Sequence, residues 1–481
     1  MNKLREKYQQ ISPPVKASVW FTLCSVFQKG ISFITTPIFT RILTTEQYGT
    51  FSVYNSWYSI ISVFATLNLS AGVYNNCMTK YPNQKKEITS TFQGLSTTVT
   101  CLLFVVYLSS MDFWNNIFQL SSIFVVTMFL ELLFVPAYSF WTVGKRYEFK
   151  YVGIVIVTAI IALGSPAVGL LAVLSTDYKA EARVVADALV QVCVGISFYV
   201  YNFKQGKRFF SREYWTYALK FNLPLIPHYL SMTILNQADR IMIGRMISNG
   251  AAAIYSIAYS VSSIMNIVTQ AINASFIPYT YKALKTKNYD GIENNANFLL
   301  VFVGTISFAA MAFGPEIIWI VGGDQYYDAI WVIPPIAASI YFSFLYPLFA
   351  NVEFYYEKTV GVMIASCTGA VSNILLNYFF IKRFGYYAAG YTTLACYILF
   401  SFAHYYFQKR ILREKISKKF EIYNMRLIIC ISIFEVVGMI GMTLTYKNTG
   451  IRYSIIAAIF VLLFLKRNDI IVRIEKIKND K

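Results

Sequence analysis

Gly49-Thr-Phe-Ser-Val53 and Ala253-Ile-Tyr-Ser-Ile257 are two versions of one string, and they occupy the same place in residues 41–70 and 245–274, which align without a gap. The chain is therefore built on an internal duplication. In each copy the polar side chains recur at helical spacing: Ser52, Asn55, Ser59, Ser62 and Thr66 in the first, and Ser256, Tyr259, Ser263, Asn266 and Gln270 in the second. A polar stripe turned towards lipid would leave hydroxyls and amides without partners. Both stripes are therefore expected to face protein or a water-filled cavity, the plan of a two-lobed transporter.

Composition sets the same frame. A chain of 481 residues that is 56% hydrophobic and only 14% charged holds more apolar surface than one or two soluble cores can bury. Apolar runs of about 20 residues, long enough for a bilayer core, fall near 17–40, 47–70, 88–110, 116–140, 150–172, 182–202, 220–243, 252–275, 294–318, 329–350, 360–381, 386–408, 424–445 and 450–466. The reading is an all-α integral membrane protein of about 14 transmembrane helices. Residues 1–210 and 211–410 form two pseudo-symmetric six-helix lobes, and 411–481 adds two accessory spans and a basic tail. The first run is too long for a signal-peptide core and is expected to stay as the first span.

Most of the 42 lysines and arginines fall in alternate connections, including Lys80, Lys85 and Lys86, then Lys145, Arg146 and Lys150, then Lys204 to Lys220. Positive charge marks the cytoplasmic side, which places both termini there. The net charge of +18 is distributed over short loops rather than one folded face, so anionic lipid headgroups and not nucleic acid are its partner.

Loops of no more than roughly 20 residues leave no room for a soluble catalytic or nucleotide-binding domain. No Gly-x-x-x-x-Gly-Lys-Ser/Thr or His-Glu-x-x-His string occurs, and the two histidines, His228 and His404, lie in different spans. The seven cysteines are scattered, odd in number and without ligand spacing. No metal ion, no cofactor and no enzymatic activity follows.

The stretch from Ala238-Asp-Arg-Ile-Met-Ile-Gly-Arg-Met-Ile247 through Ala253-Ile-Tyr-Ser-Ile-Ala-Tyr259 to Phe276-Ile-Pro-Tyr279 resembles the central signature of the polysaccharide flippases. These are the Wzx-type members of the multidrug/oligosaccharidyl-lipid/polysaccharide (MOP) exporter superfamily. Arg41-Ile-Leu-Thr-Thr-Glu-Gln-Tyr-Gly49, Asn373-Ile-Leu-Leu-Asn377 and Phe384-Gly-Tyr-Tyr-Ala-Ala-Gly390 extend the likeness over about residues 15–410. The resemblance implies a bacterial cytoplasmic-membrane transporter. Its substrate would be an undecaprenyl-pyrophosphate-linked oligosaccharide, carried outwards by alternating access for O-antigen, capsule or related polymers, with the polymerisation machinery as a further partner. A multidrug exporter of organic cations would call for carboxylates in its cavity, and span 1 has none. A glycan polymerase or ligase would call for a large outer loop.

Ionisable groups inside spans each need a reason, since facing lipid costs at least about 2.5 kcal/mol. Lys29, near the middle of span 1, either meets a pyrophosphate in a central cavity or pairs with Glu131 at similar depth in span 4. The two stripes, with Asn55, Ser59, Ser62 and Thr66 on one side and Tyr259, Ser263, Asn266 and Gln270 on the other, are the candidate lining for a hydrated glycan. Asp239 and Arg240, which match the signature, and the repeat-related Arg41 and Arg245 are candidates for an outer gate or lobe coupling; structural pairing and interface anchoring are the alternatives. Lys145 and Arg146 either collect an anionic headgroup from the inner leaflet or anchor the chain there. Arg183 and Asp187, four apart, should neutralise each other. Asn373 and Asn377, one turn apart, should bond across helices.

Overall fold

The computed structural model describes residues 13–416 and 421–465. Both chain ends, which the charge pattern assigns to the inner side, lie outside the described residues. No strand occurs among the described residues.

Among the described residues, fourteen helices of 17 residues or more follow the apolar runs in order. They are α1 (Pro13–Ile42), α2 (Thr45–Thr66), α3 (Lys85–Ser109), α4 (Ser122–Tyr147), α5 (Val152–Leu174), α6 (Lys179–Gly206) and α7 (Ile226–Met246). The series continues with α8 (Asn249–Thr286), α9 (Tyr289–Ala312), α10 (Ile333–Tyr355), α11 (Thr359–Phe384), α12 (Tyr387–Lys415), α13 (Met425–Thr445) and α14 (Thr449–Leu465). Eight of these are long and apolar enough to cross a membrane, or nine when the two stretches of α8 flanking Ser262–Met265 count as one span. The chain is an all-helical integral membrane protein. The helices that fall short include α1, α2 and α7, whose apolar character is diluted by the charges and polar stripes read from the sequence, and α14, which has 17 residues.

The duplication is visible in local structure. Thr44 caps α2 through a reciprocal box in which its hydroxyl accepts from the Gln47 amide and the Gln47 side chain accepts from the Thr44 amide. At the corresponding place Ser248 accepts from the Ala251 amide at the start of α8, 3.1 Å away. A short helix follows α3 (Met111–Phe118) and another follows α9 (Gly314–Val321). The Thr-Thr-Glu-Gln string of the first hairpin is thus a helix start. Its terminal Gly49 serves packing, since a β-carbon there would lie 1.8 Å from the Asn249 carbonyl oxygen.

The chain divides into two compact units, residues 1–256 and 257–481. Helix α7, the first helix of the second copy, packs along α2 within the first unit. In the first unit α6 is central, packing on α3, α4 and α5. One core gathers Tyr54, Phe124, Met128, Leu132 and Val184. A second, at the lysine-rich end, gathers Tyr74, Phe92, Phe140, Tyr214 and Ala218 beneath the short helices Val73–Lys80 and Arg212–Asn222.

Two buried amides fasten this unit. Asn202 on α6 donates to Gln93 Oε1 on α3 (2.8 Å) and to the Ala137 carbonyl on α4 (3.0 Å). Asn222 donates to the Leu67 carbonyl (2.7 Å) and accepts from the Val73 amide (3.0 Å), tying the end of α2 to Arg212–Asn222. Interhelical bonds of this kind are the economical way to fix apolar helices that gain little from apolar contact alone.

In the second unit α10 is enclosed by α9, α12 and α13, and nearly every residue from Ile333 to Glu353 is buried. The accessory pair is held from both ends. Tyr341 of α10 donates to the Ile428 carbonyl of α13, and Arg452 of α14 makes a two-pronged ion pair with Glu316, which also accepts from Tyr453 (2.6 Å). Asn377 of α11 accepts from Thr392 of α12 and donates to Asn373 (3.3 Å), the cross-helix bonding expected of that pair. Gly385, at φ 76°, makes the turn between these two helices.

Candidate functional site: a cationic cavity in the first unit

Helices α1, α2, α5 and α6 line a half-open cavity of about 340 Å3, on whose α1 side Gln28, Lys29 and Ser32 are exposed. One face of α1 supplies Gln28, Lys29, Ser32, Thr35 and Thr36, and one face of α6 supplies Arg183, Asp187 and Gln191 at four-residue spacing. Ser165 and Pro166 come from α5, while Phe39, Tyr48 and Phe51 form an aromatic wall.

Arg183 is the anchor of this arrangement. Its guanidinium stacks over Phe39 at 4.0 Å and Phe51 at 4.7 Å from the ring centres, a cation–π cradle that holds it without neutralising it. Its Nη1 is 3.4 Å from Asp187 Oδ1, the i,i+4 contact read from the sequence. Gly169 makes room for it, because a β-carbon there would lie 2.6 Å from Nη1. Arg183 Nη1 and Ser165 Oγ are both buried and have no hydrogen-bond partner among the described residues. A buried donor left without an acceptor costs about 1–3 kcal/mol, so these two atoms are the costly ones in the cavity wall.

Lys29 lines the same cavity and makes no ion pair among the described residues. The alternative in which it pairs with Glu131 gives way to a different arrangement. Buried Glu131 accepts from the Tyr54 hydroxyl of α2 and from Gln191 Nε2 of α6 at 3.3 Å. Gln191 lines the cavity and holds Glu131 behind it, so two cations and one carboxylate, Asp187, line the space itself.

Of the other candidates, Asn55, Ser59, Ser62 and Thr66 stand together on a partly exposed face of α2, outside this cavity. Asn55 donates to the Phe51 carbonyl, Ser59 to Asn55, Ser62 to Ser59 and Thr66 to Ser62, so the three hydroxyl protons are used within the helix. On α8, Tyr259 and Asn266 are partly exposed and Gln270 is exposed, while the Ser263 side chain lies outside the described residues.

Asp239 and Arg240 separate. Asp239 is fully buried and accepts from the Tyr255 hydroxyl at 2.5 Å, while Arg240 bonds the Asn236 carbonyl (2.6 Å) and Gln237 Oε1 (3.1 Å). Gln237 in turn accepts from Ser56 of α2 at 3.2 Å, so the Asp-Arg string ties α7 to both α8 and α2. Arg41 and Arg245 are exposed at the ends of α1 and α7, and Arg41 folds back on the Pro37 carbonyl (2.8 Å).

At the lysine-rich end, Lys145 lines a second cavity of about 80 Å3 with Lys85, Lys86, Trp141 and Asn202. Lys145 and Lys150 both bond Glu148, at 2.9 and 3.1 Å. Partial burial alone would raise the Glu148 carboxyl, but these two ammonium groups outweigh it and hold it below the ordinary carboxylate range. Arg146 turns the other way, over the Phe21 ring of α1 at 5.3 Å. Lys145 lines this pocket and Arg146 does not.

The family described as "Polysaccharide biosynthesis protein" matches residues 15–284, more than half of the chain and the whole of the cavity just described. The chain belongs to this family. The MatE family matches residues 224–379. "Lsg locus putative protein 1" of Haemophilus influenzae, a similar protein, is 25% identical over 370 residues, covering 73% of this chain and 87% of its own length. Among solved structures, a lipid II flippase MurJ in an inward closed conformation superposes with a TM-score of 0.68 at 14% identity, covering 94% of this chain and all of that one. An inward-facing multidrug resistance MATE transporter of the MOP superfamily gives 0.59 at 13% identity, covering 82% and 96%. This polysaccharide biosynthesis protein therefore has the fold of the MOP-superfamily transporters.

Proposed function

We propose that the protein is a flippase for undecaprenyl-pyrophosphate-linked oligosaccharide, serving surface polysaccharide synthesis at the bacterial cytoplasmic membrane with both termini on the cytoplasmic side. The observation that carries this reading is the cavity in which Lys29 and Arg183 outnumber Asp187 and in which Arg183 Nη1, beyond its 3.4 Å ion-pair contact with Asp187, and Ser165 Oγ make no hydrogen bond among the described residues. A pyrophosphate brings several charged oxygens to donors of this kind, and a guanidinium binds them in bidentate fashion. An organic cation would meet the opposite charge balance, which counts against the multidrug reading.

In this mechanism Lys145 helps collect the headgroup at the inner leaflet, and Lys29 and Arg183 hold the pyrophosphate while the lobes alternate. The α2 and α8 stripes exchange water for sugar hydroxyls, and the Asp239–Arg240 ties and the Arg41/Arg245 ends accompany closure on the outer side. An inside-negative potential assists, since outward movement of each negative charge releases about 2.3 kcal/mol per 100 mV. The test is transfer of labelled undecaprenyl-pyrophosphate oligosaccharide across vesicles holding the purified protein. Transfer by the parent and loss in Lys29→Ala supports the assignment. Equal transfer by both removes Lys29 from the mechanism, and organic-cation export without any glycan transfer overturns the flippase reading.

A further inference from the structure

A second polar centre lies wholly within the second unit. Glu353 near the end of α10 and His404 on α12 are both fully buried, with Nδ1 2.6 Å from Oε1. The imidazole is packed against the Tyr346 ring at 4.7 Å and edge-on to the Phe400 ring at 4.7 Å. The outward atoms of the pair, His404 Nε2 and Glu353 Oε2, are buried and have no hydrogen-bond partner among the described residues. A strut built only for stability would satisfy those atoms or dispense with them, because each orphan carries a desolvation cost.

The proton count of this pair is constrained by its surroundings. A neutral imidazole beside a carboxylate has a net charge of −1; one more proton, on either partner, makes the pair neutral overall. Tyr346 of α10 is the titratable group that faces it directly. Two nearby cations are engaged elsewhere: Lys358 with Glu414 at 3.5 Å, and Lys409 with Glu421 at 3.1 Å. With no cation among the described residues pairing with Glu353 other than His404, a net −1 is unfavourable while the pair is dry.

One glycine lies against the outer side of the pair. Gly361, in the first turn of α11, lies so close over the carboxylate that a β-carbon would come 2.7 Å from Glu353 Oε2. Helix α11 reaches that position through a short turn after α10, pinned where the Lys358 amide donates to the Glu353 carbonyl at 2.9 Å.

We propose that Glu353 and His404 form a proton-exchange site of the second unit. While α11 covers the pair it holds one proton beyond the imidazole's own. When the turn at residues 356–358 moves Gly361 aside, water reaches Nε2 and Oε2, and the proton passes to that water; reloading reverses the transfer.

The chain carries just two histidines, so the full-length protein in lipid nanodiscs with His228→Asn gives one imidazole signal when histidine is 15N-labelled. The Glu353 carboxyl is labelled with 13C and identified by its absence in Glu353→Gln. Titration from about pH 5 to about pH 9 should show both reporters changing in one step with a common midpoint, the signature of a shared proton. Gly361→Ala, which wedges α11 away, should speed solvent exchange of the His404 ring proton about tenfold or more, equivalent to ~1.4 kcal/mol of opening. Two silent reporters, two unrelated midpoints, or unchanged exchange in Gly361→Ala overturns the site. If that variant does not fold, the parent titration alone decides. Neither readout involves transport, so the result stands apart from the flippase reading.

Discussion

Gly49 on α2 and Asn249 at the start of α8 touch backbone to backbone: a β-carbon on the glycine would fall 1.8 Å from the asparagine carbonyl oxygen. The neighbourhood is dense, with Asn249 Nδ2 donating to Thr50 Oγ1 at 3.2 Å and Gly250 close to Glu46. Gly49→Ala must push the two helix starts apart, at a cost of about 1–3 kcal/mol or more. Thermal unfolding in detergent should show the loss. Gly441→Ala, at a helical position with open space around it, is the control and should change little.

Arg183 holds its place through two aromatic faces and presents an unused donor, properties of a planar guanidinium that an ammonium does not share. Arg183→Lys keeps the charge yet should reduce glycan-lipid transfer about 10- to 100-fold, the worth of one charged hydrogen bond. The readout is the vesicle transfer rate with protein content held equal. A rate within about twofold of the parent would place the pyrophosphate elsewhere.

The two cavity cations show what the sequence could and could not reveal. Runs of apolar residues and the matching strings at 49–53 and 253–257 locate helices and duplication directly, because length and periodicity are one-dimensional properties. Arg183–Asp187 is equally legible, being an i,i+4 contact. The sequence puts Lys29 and Glu131 at comparable places in their spans, but place along a span says nothing about which way a helix is turned. Glu131 faces Tyr54 and Gln191 instead. The aromatic faces of Phe39 and Phe51 that flank the Arg183 guanidinium arrive from other helices and are not legible from the i,i+4 spacing. The amide ties of Asn202 and Asn222 are invisible for the same reason, since their partners are 65 to 155 residues away.

Asn222→Ala removes two bonds and leaves the Leu67 carbonyl and the Val73 amide in a buried setting. A loss of about 2–4 kcal/mol is expected in denaturant titration. Asn222→Asp keeps an acceptor for Val73 but not the donor for Leu67, so it should fall between parent and alanine variant.

Glu148 gives the inner end a pH dependence of definite sign. Its folded-state carboxyl is held below the ordinary value of 4.5, so it contributes stability that is fully present above that value and lost as the pH falls through the depressed one. Carboxyl NMR of Glu148 should show a midpoint below the ordinary range in the parent, moving up in Lys145→Gln and further in the double variant with Lys150→Gln. An unmoved midpoint would dissolve the clamp that positions Lys145.

The contact between Gly49 and Asn249 also carries a schedule. The first hairpin has its own start signal at Thr44, so α1 and α2 can take up their helices as soon as they leave the ribosome. The face of α2 that carries Gly49 stays uncovered until about 200 further residues have been made, on the order of 10–40 s at ordinary synthesis rates. Until residue 249 arrives, that face of the first copy lacks the backbone that finally covers it. Assembly of this protein therefore ends with a late closure, in which the second copy completes a surface that the first presents from the start.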